Sequence, residues 1–573
     1  MTSQFLINTL NPDEDHSRLI EISDGDYNTL NDLKDSFSRF RGREYRKTQS
    51  IALDFIINST KKFIVIEAPT GAGKSLIGMA SGQIAKSSIY TVHSKPLQVQ
   101  LNQDFPEATV LFGRGNYQCT MSAKFTCAEC PLLNPKETCT TGCPYKAEKQ
   151  KALASKFRVL NYSYLLTEMN FVGQFSKQGL VVIDEADALE GVLYNFVSIS
   201  ISESRLRSMN LTFPKHKTAS SEVLLQEWKD WAIGVKKKVD NKVRQMSDTI
   251  KTWEEIQTDD ERRYVKQLES LQGLQSRLAI FITHVDQSWQ SEIKEGLRGD
   301  KVIHFKPLWL TPDLTESALW RHSERFLLMS GTFPPLNVLG RVLGVDPSQI
   351  DYLTLPSTFP VENRRCIIAP IANITHQTQE EEVPKLVKAV RKILQIHDGQ
   401  KGLIHVVNYR LRDALMNSIS DPRLITHDGM NKMEIIDAFR ASDQPLVLVS
   451  PSSERGLSLE DALCRFIILC KMPFLSLADK SVKQRLYGSQ VGKIWYEADA
   501  LLTVCQACGR GVRHENDQCV SYLLDFQIYR IIAKKPSLLP PWFRDALTPE
   551  DTQELLGMER WTEPERSALD NDW

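Results

Sequence analysis

FIVIEAPTGAGKS (Phe63–Ser75) and VVIDEAD (Val181–Asp187) are the two stretches that decide the fold. Each begins as a short apolar run that reads as a buried strand, and each breaks off at residues with polar chemistry. After Pro69, Gly71 and Gly73 let the backbone turn sharply and aim its N–H groups at phosphate oxygens. The loop runs Ala68, Pro69, Thr70, Gly71, Ala72, Gly73, Lys74, Ser75, with Ala68 standing where the pattern usually begins on glycine. Lys74 is then placed to reach the β- and γ-phosphates, and the Ser75 hydroxyl to ligate Mg²⁺ at the start of a helix. In the second stretch Asp184 is delivered to the metal through water, and Glu185 beside it is the base that polarises the attacking water. A glycine-rich loop alone also fits an ordinary strand-to-helix turn. An acidic pair at the end of a second buried strand argues against that reading, and together the two stretches imply ATP hydrolysis on an α/β fold.

A chain of 573 residues has room for three or four domains, each with its own core. The formal net charge of −1 excludes a generally basic nucleic-acid binder but leaves room for a local basic groove. No run is long and apolar enough to span a bilayer, and MTSQFLINTLNPDEDH is no signal peptide. The expected location is therefore the cytoplasm, or the nucleus in a eukaryote, with no membrane partner. Thiols stay reduced there, so clustered cysteines favour a metal or a cluster over disulfides. Cys119, Cys127, Cys130, Cys139 and Cys143 fall within one short proline-broken run. Their spacing suits a four-thiolate zinc and a [4Fe–4S] cube equally well. The other six cysteines read as buried small hydrophobes.

FRGREYRKTQSIALDFIINS reads as a loop leading into an amphipathic helix. Its Arg46 and Gln49 are candidates for reading adenine, with two solvated residues at a helix start as the alternative. Thr91, His93, Ser94 and Lys95 fall at the C-terminal end of a strand, where open α/β sheets bind ligands. Between Glu190 and Lys301, Gly and Pro become scarce and apolar residues take helical spacing. The stripes Leu224, Trp228, Trp231, Val235, Val239, Val243 and Tyr264, Leu268, Leu271, Leu274, Leu278, Phe281 predict two long helices packed as a hairpin. RFLLMSGTFPP (Arg325–Pro335) returns to a buried strand, and KGLIHVVNY, QPLVLVS and CRFIILCKMPF supply strands of a second α/β unit. Gln506, Gly509, Arg510 and Arg513 are predicted to lie on one and a half turns of helix, the two arginines sharing a face. Facing a bound nucleotide, they would supply the charge of arginine fingers. The alternative is a solvated basic helix paired to Glu515.

The order of APTGAGKS, VHSKPLQVQ, DEAD, MSGTF, SERGLSLED and QACGRGVR resembles the superfamily 2 helicases, specifically the XPD/DinG-type iron–sulfur DNA helicases. GRGNYQC (Gly113–Cys119) and GCPYK (Gly142–Lys146) around the cysteines, VLNYSYLL before DEAD, and the helical insert after it carry the narrower likeness. The resemblance covers residues 40 to 530. It implies two RecA-like motor domains, the first interrupted by a cysteine-rich domain and a helical arch-like insert. The expected divisions are residues 1–112, 151–192 and 304–345 for the first motor domain, 113–150 for the cysteine domain, 193–303 for the insert and 346–573 for the second motor domain. It implies ATP, Mg²⁺ and a [4Fe–4S] cluster held by Cys119, Cys127, Cys130 and Cys143, with Cys139 spare. Lys74, Asp184, Glu185, Gln506, Arg510 and Arg513 are the implied catalytic set, and Ser330 and Thr332 link nucleotide to DNA. The implied partners are single-stranded and forked DNA, met by a monomer moving 5′→3′. SERGLSLED departs from the family's E-G-x-D in its inserted Arg455 and in Ser458, which clouds the role of Glu454 and Gly456.

Overall fold

The computed structural model describes residues 6–8, 17–19, 35, 37–120, 126–129, 142–214, 221–253, 258–296, 299–451, 461–549 and 552–562. Cys130, Cys139 and the segment holding Glu454, Arg455, Gly456 and Ser458 lie outside them. By internal contacts the chain forms two compact units. One comprises Met1–Ile66, Lys74–Ser330 and Leu339–Leu353; the other comprises Glu67–Gly73, Gly331–Val338 and Thr354–Trp573.

The first unit is built on β1 (Phe63–Glu67), β2 (Ser88–Val92), β3 (Thr109–Val110), β4 (Phe157–Asn161) and β5 (Gln178–Asp184). An insertion carries β6 (Ile199–Ser202), β7 (Trp289–Glu295) and β8 (Lys301–Pro307), and β9 (Ser323–Ser330) and β10 (Ile350–Thr354) complete the sheet. Seven strands lie in the order β10-β1-β9-β5-β2-β4-β3, and the pairs from β9 to β3 are parallel. Every residue of β1 and β2 is buried, as expected of strands covered on both faces. Parallel pairing sends the ends of β2, β5 and β9 to one edge, where Met329 stands opposite Asp184. That edge is where a doubly wound sheet binds ligands. Because β10 pairs into this sheet, the first sheet runs to Thr354, and the division expected at 345/346 falls ahead of its last strand.

The insertion holds the two long helices that the stripes predict, here α3 (Ser221–Lys251) and α4 (Asp259–His284). Helix α4 starts on a capping box: Thr258 Oγ1 accepts from the Glu261 N–H at 3.2 Å, and Glu261 Oε2 accepts from the Thr258 N–H at 2.8 Å. Trp228, Val235 and Val239 are buried on one helix, and Leu268, Leu271, Leu274, Leu278 and Phe281 on the other. At ~1.5–3 kcal/mol for each large apolar side chain removed from water, this seam outweighs helix propensity as the source of stability. The periodicity did not show the three-stranded antiparallel sheet β6-β8-β7 at the base of the hairpin. Phe305 of β8 packs against Trp228 and Phe281, with ring centroids 5.2 and 5.0 Å away, so sheet and hairpin share one core.

The second unit holds β11 (Cys366–Ala372), β12 (Gly402–His405), β13 (Leu424–Thr426), β14 (Val447–Ser450), β15 (Phe466–Leu469), β16 (Val520–Asp525) and β17 (Leu547–Pro549). Their order is β13-β14-β12-β15-β16-β11-β17, every pair parallel. Alternate residues feed opposite cores. Leu403, Leu448, Ile467 and Leu523 enter one, and Ile404, Val449, Ile468 and Leu524 the other. This is the second RecA-like sheet.

Candidate functional site

Glu67 closes β1 and opens the phosphate loop. Its buried carboxylate accepts from the Phe333 N–H at 3.0 Å and from Thr354 Oγ1 at 3.1 Å, which satisfies a charge that burial would otherwise penalise. Gly71 and Gly73 take φ of +83° and +81°, the left-handed conformation that the sharp turn requires. Gly71 has a second constraint: a Cβ there would lie 1.9 Å from Cζ of Phe359, whose ring packs directly on the loop. Lys74 and Ser75 begin helix α2 (Lys74–Ile84).

Asp184 ends β5 and is buried. Tyr90, on the adjacent β2, donates its hydroxyl to Asp184 Oδ2 at 2.6 Å, the Glu185 N–H donates to Oδ1 at 3.0 Å, and the Tyr162 hydroxyl donates to the Asp184 carbonyl. Burial raises the Asp184 carboxyl above its ordinary pKa, while the Tyr90 hydrogen bond and the Lys74 ammonium pull it back down. A buried carboxylate steadied by an ammonium and oriented by the Tyr90 hydroxyl suits a hydrated divalent cation. Glu185 adopts φ +56°, a left-handed conformation unusual for a residue with a side chain, and one that recurs where geometry matters for chemistry. Ser330 Oγ donates to Asp187 Oδ1 at 2.7 Å and so joins the end of β9 to the acidic turn.

Thr91 faces inward, its hydroxyl on the Val182 carbonyl at 2.9 Å, so it holds β2 to β5 and does not face a ligand. His93 follows β2 with its ring edge-on to Tyr162, and Ser94 precedes the helix that Lys95 begins. Helix α1 (Lys47–Asn58) is capped by Gln49, whose Oε1 accepts from the Arg46 N–H at 2.9 Å. Gln49 is buried and Arg46 exposed, so the alternative of two solvated residues fits only Arg46.

In the second unit, helix α5 (Gln490–Cys508) ends one residue before Gly509, which caps it. Gln506 is helical and donates from Nε2 to Thr332 Oγ1 at 3.1 Å. Arg510 lies in the turn that follows the helix and Arg513 in the irregular segment beyond it, so they do not share a helix face as their spacing predicts. Gly509 and Gly511 supply no side chain to extend the helical surface, and Gly511 lies so close to Cys519 that a Cβ would be 2.2 Å from its Sγ. Arg510 is nonetheless buried, and the Arg513 N–H donates to the buried Asp517 Oδ2 at 3.1 Å. A solvated basic helix is therefore not what forms. Trp542 Nε1 donates to the Gly331 carbonyl at 3.0 Å, and Pro69, Thr70, Phe359, Cys508, Gly509 and Trp542 line one small cavity.

Residues 125–206 match the protein-family model DEAD_2, and residues 390–546 match that of the helicase C-terminal domain. Both matches lie in the order that the motifs require. Over these two stretches the chain resembles the XPD/DinG-type superfamily 2 helicases. It is similar to the ATP-dependent DNA helicase CHL1 of Saccharomyces cerevisiae, 23% identical over 44% of this chain and 34% of that protein. It is likewise similar to the ATP-dependent DNA helicase XPD of Sulfolobus acidocaldarius, 23% identical over 36% of this chain and 40% of that protein. The aligned regions thus span well under half the length of these relatives. Among solved structures an XPD helicase superposes with a TM-score of 0.58 at 17% identity, covering 90% of this chain and 99% of the other. S. tokodaii Xpd4 superposes at 0.51 and 15% identity, covering 86% and 98%.

The clustered cysteines form a second candidate site. The Cys127 and Cys143 Sγ atoms stand 3.9 Å apart, and the Cys127 N–H donates to the Tyr117 carbonyl at 2.7 Å. Burial, with Cys143 and Cys119 nearby, pushes the Cys127 thiol up to about 11. Two of the four implied thiols, Cys127 and Cys143, therefore stand close together, although among the described residues no three ligands are placed to hold a metal ion. Their donor chemistry fits zinc or iron–sulfur. Tyr90, Tyr162, Glu67 and Trp542 were not singled out in the sequence. Tyr90 had a faint signal, as a polar-tipped aromatic in the middle of a strand that reads as buried.

Proposed function

We propose that the chain is an ATP-dependent DNA helicase that loads on single-stranded DNA, moves 5′→3′ and parts forked duplexes, working as a monomer. The observation that carries this reading is the group at the end of β5: buried Asp184 held by Tyr90 and electrostatically coupled to Lys74, with Glu185 next in the chain. Gly71, Ala72, Gly73 and Lys74 would cradle the triphosphate, with Ala68, Pro69 and Thr70 leading into the turn, while Arg46 and Gln49 would meet the adenine. Ser75 and Asp184 would hold Mg²⁺, which supplies charge neutralisation at the β- and γ-phosphates. Glu185 orients and deprotonates the attacking water, and Gln506, Arg510 and Arg513 offset charge on the departing phosphates. Thr332, bonded to Gln506, would report the state of the nucleotide to the strand. Phosphate contacts dominate DNA binding, so affinity falls steeply with salt while base preference stays small.

Cys119, Cys127, Cys130 and Cys143 would bind a [4Fe–4S] cluster, which staples a small domain that has few apolar residues of its own. Cys143→Ser should bleach the brown colour and abolish unwinding while leaving part of the ATPase, read by iron content beside strand release. Iron-free, zinc-loaded wild-type protein purified without oxygen would overturn the iron–sulfur assignment. Tyr90→Phe should weaken the Mg²⁺ response by ~10-fold, because losing a residue that orients a metal-binding carboxylate typically costs 10–100-fold in affinity. An unchanged Mg²⁺ titration would mean that Tyr90 merely packs.

The deciding assay is strand release from forked duplexes with either overhang. ATP hydrolysis stimulated by single strands, with no release from any tailed duplex, would point instead to a translocase that remodels protein–nucleic acid complexes.

A further inference from the structure

Five of the six cysteines outside the clustered run meet around the end of α5. Cys366, Cys464, Cys505 and Cys519 are buried in one core of the second unit, and Cys508 packs against it. Cys366 on β11 and Cys508, the last residue of α5, bring their Sγ atoms to 3.9 Å. The two are not equivalent. Cys366 is buried between β16 and β17, whereas Cys508 is partly exposed and lines the small cavity that also holds Pro69, Thr70 and Phe359. A water-sized reagent in that cavity meets Cys508 first.

We propose that Cys508 and Cys366 form an oxidation site: a small two-electron oxidant such as hydrogen peroxide converts the pair to a disulfide and slows ATP hydrolysis. The Cys508 sulfur attacks one peroxide oxygen, giving a sulfenic acid and water. The Cys366 sulfur then attacks the sulfenic sulfur and expels a second water as the S–S bond forms. In sum, two thiols and one peroxide give one disulfide and two waters, the two electrons passing from the sulfurs to the peroxide oxygens. Burial and the neighbouring Cys508 hold the Cys366 thiol well above its usual range, consistent with its acting second. Cys366 is fixed in a sheet strand between two neighbours, so the adjustment from 3.9 Å to the ~2 Å of an S–S bond falls on Cys508 and the end of α5. Gln506, one half-turn earlier, carries the 3.1 Å bond to Thr332, and Arg510 lies two residues on. A misplacement of ~1 Å in such a group can cost up to 10²-fold in rate.

The effect on rate rests on the function proposed above; the disulfide itself does not. The test exposes the full chain briefly to peroxide, blocks remaining thiols with iodoacetamide, and maps linked peptides by mass spectrometry without reduction. A Cys366–Cys508 link is expected in wild type and in Cys505→Ser, and none in Cys508→Ser or Cys366→Ala. DNA-stimulated ATPase should fall by ~10-fold in wild type, return with dithiothreitol, and change less than about twofold in the two link-deficient variants. No link after the peroxide is consumed overturns the site. A link accompanied by equal losses in wild type and Cys366→Ala overturns its control of turnover and locates the damage elsewhere, as in the cysteine run near Cys127. Untreated protein without ATPase would count against the helicase reading alone, with the peptide map still deciding the thiol pair.

Discussion

Glu185→Gln should lower ATP turnover by at least ~10²-fold while leaving ATP and single-stranded DNA binding intact, the pattern expected if Glu185 is the general base and its shape is kept. The exchange is unusually clean at this position. Glu185 sits at φ +56°, and glutamine has the same reach and the same backbone preferences, so any strain is common to both proteins. The Glu185 N–H that donates to Asp184 belongs to the backbone and survives the exchange. Phosphate release under saturating ATP and DNA is the measurement, with nucleotide and DNA binding followed separately. Near-normal turnover would show that the base lies elsewhere.

Lys74→Ala removes more, because two functions end together. In the proposed mechanism the ammonium would offset charge on the transferred phosphoryl group, and it also lowers the pKa of buried Asp184, which burial pushes up. Turnover should fall on the order of 10³-fold, comparable to losing a principal charge-stabilising group in a water-poor site. DNA binding without nucleotide should persist. If the purified chain hydrolyses ATP at the same rate with and without Lys74, the activity belongs to a contaminant and the chain is a binding protein with a vestigial loop.

Several strands of both sheets were legible because parallel strands covered on both faces are written as unbroken apolar runs, and FIVIE, LVVID, FLLMS, GLIH and VLVS are such runs. The insert hairpin was equally plain, since two stripes at helical spacing have few other uses. Legibility failed where structure depends on distant residues. β10 joins the first sheet, not the second, by pairing beside a strand nearly three hundred residues earlier, which no local pattern announces. Strands β6 to β8 hide between stronger helical signals. Arg510 and Arg513 left the helix because Gly509 ended it, and three-residue spacing cannot see a helix stop. Tyr90 lies 94 residues from the carboxylate it orients, so its role exists only once β2 and β5 are neighbours. The phosphate loop was visible in sequence; the hydroxyls that steady the acidic pair were not.

The Phe359 ring lies where any side chain at Gly71 would have to go, so the bend meant for oxyanions is met by a hydrocarbon disc. A substitution at Gly71 therefore meets two obstacles at once, a left-handed backbone that glycine adopts freely and an aromatic ring that would have to move aside, so the bend is guarded by a residue that performs no chemistry.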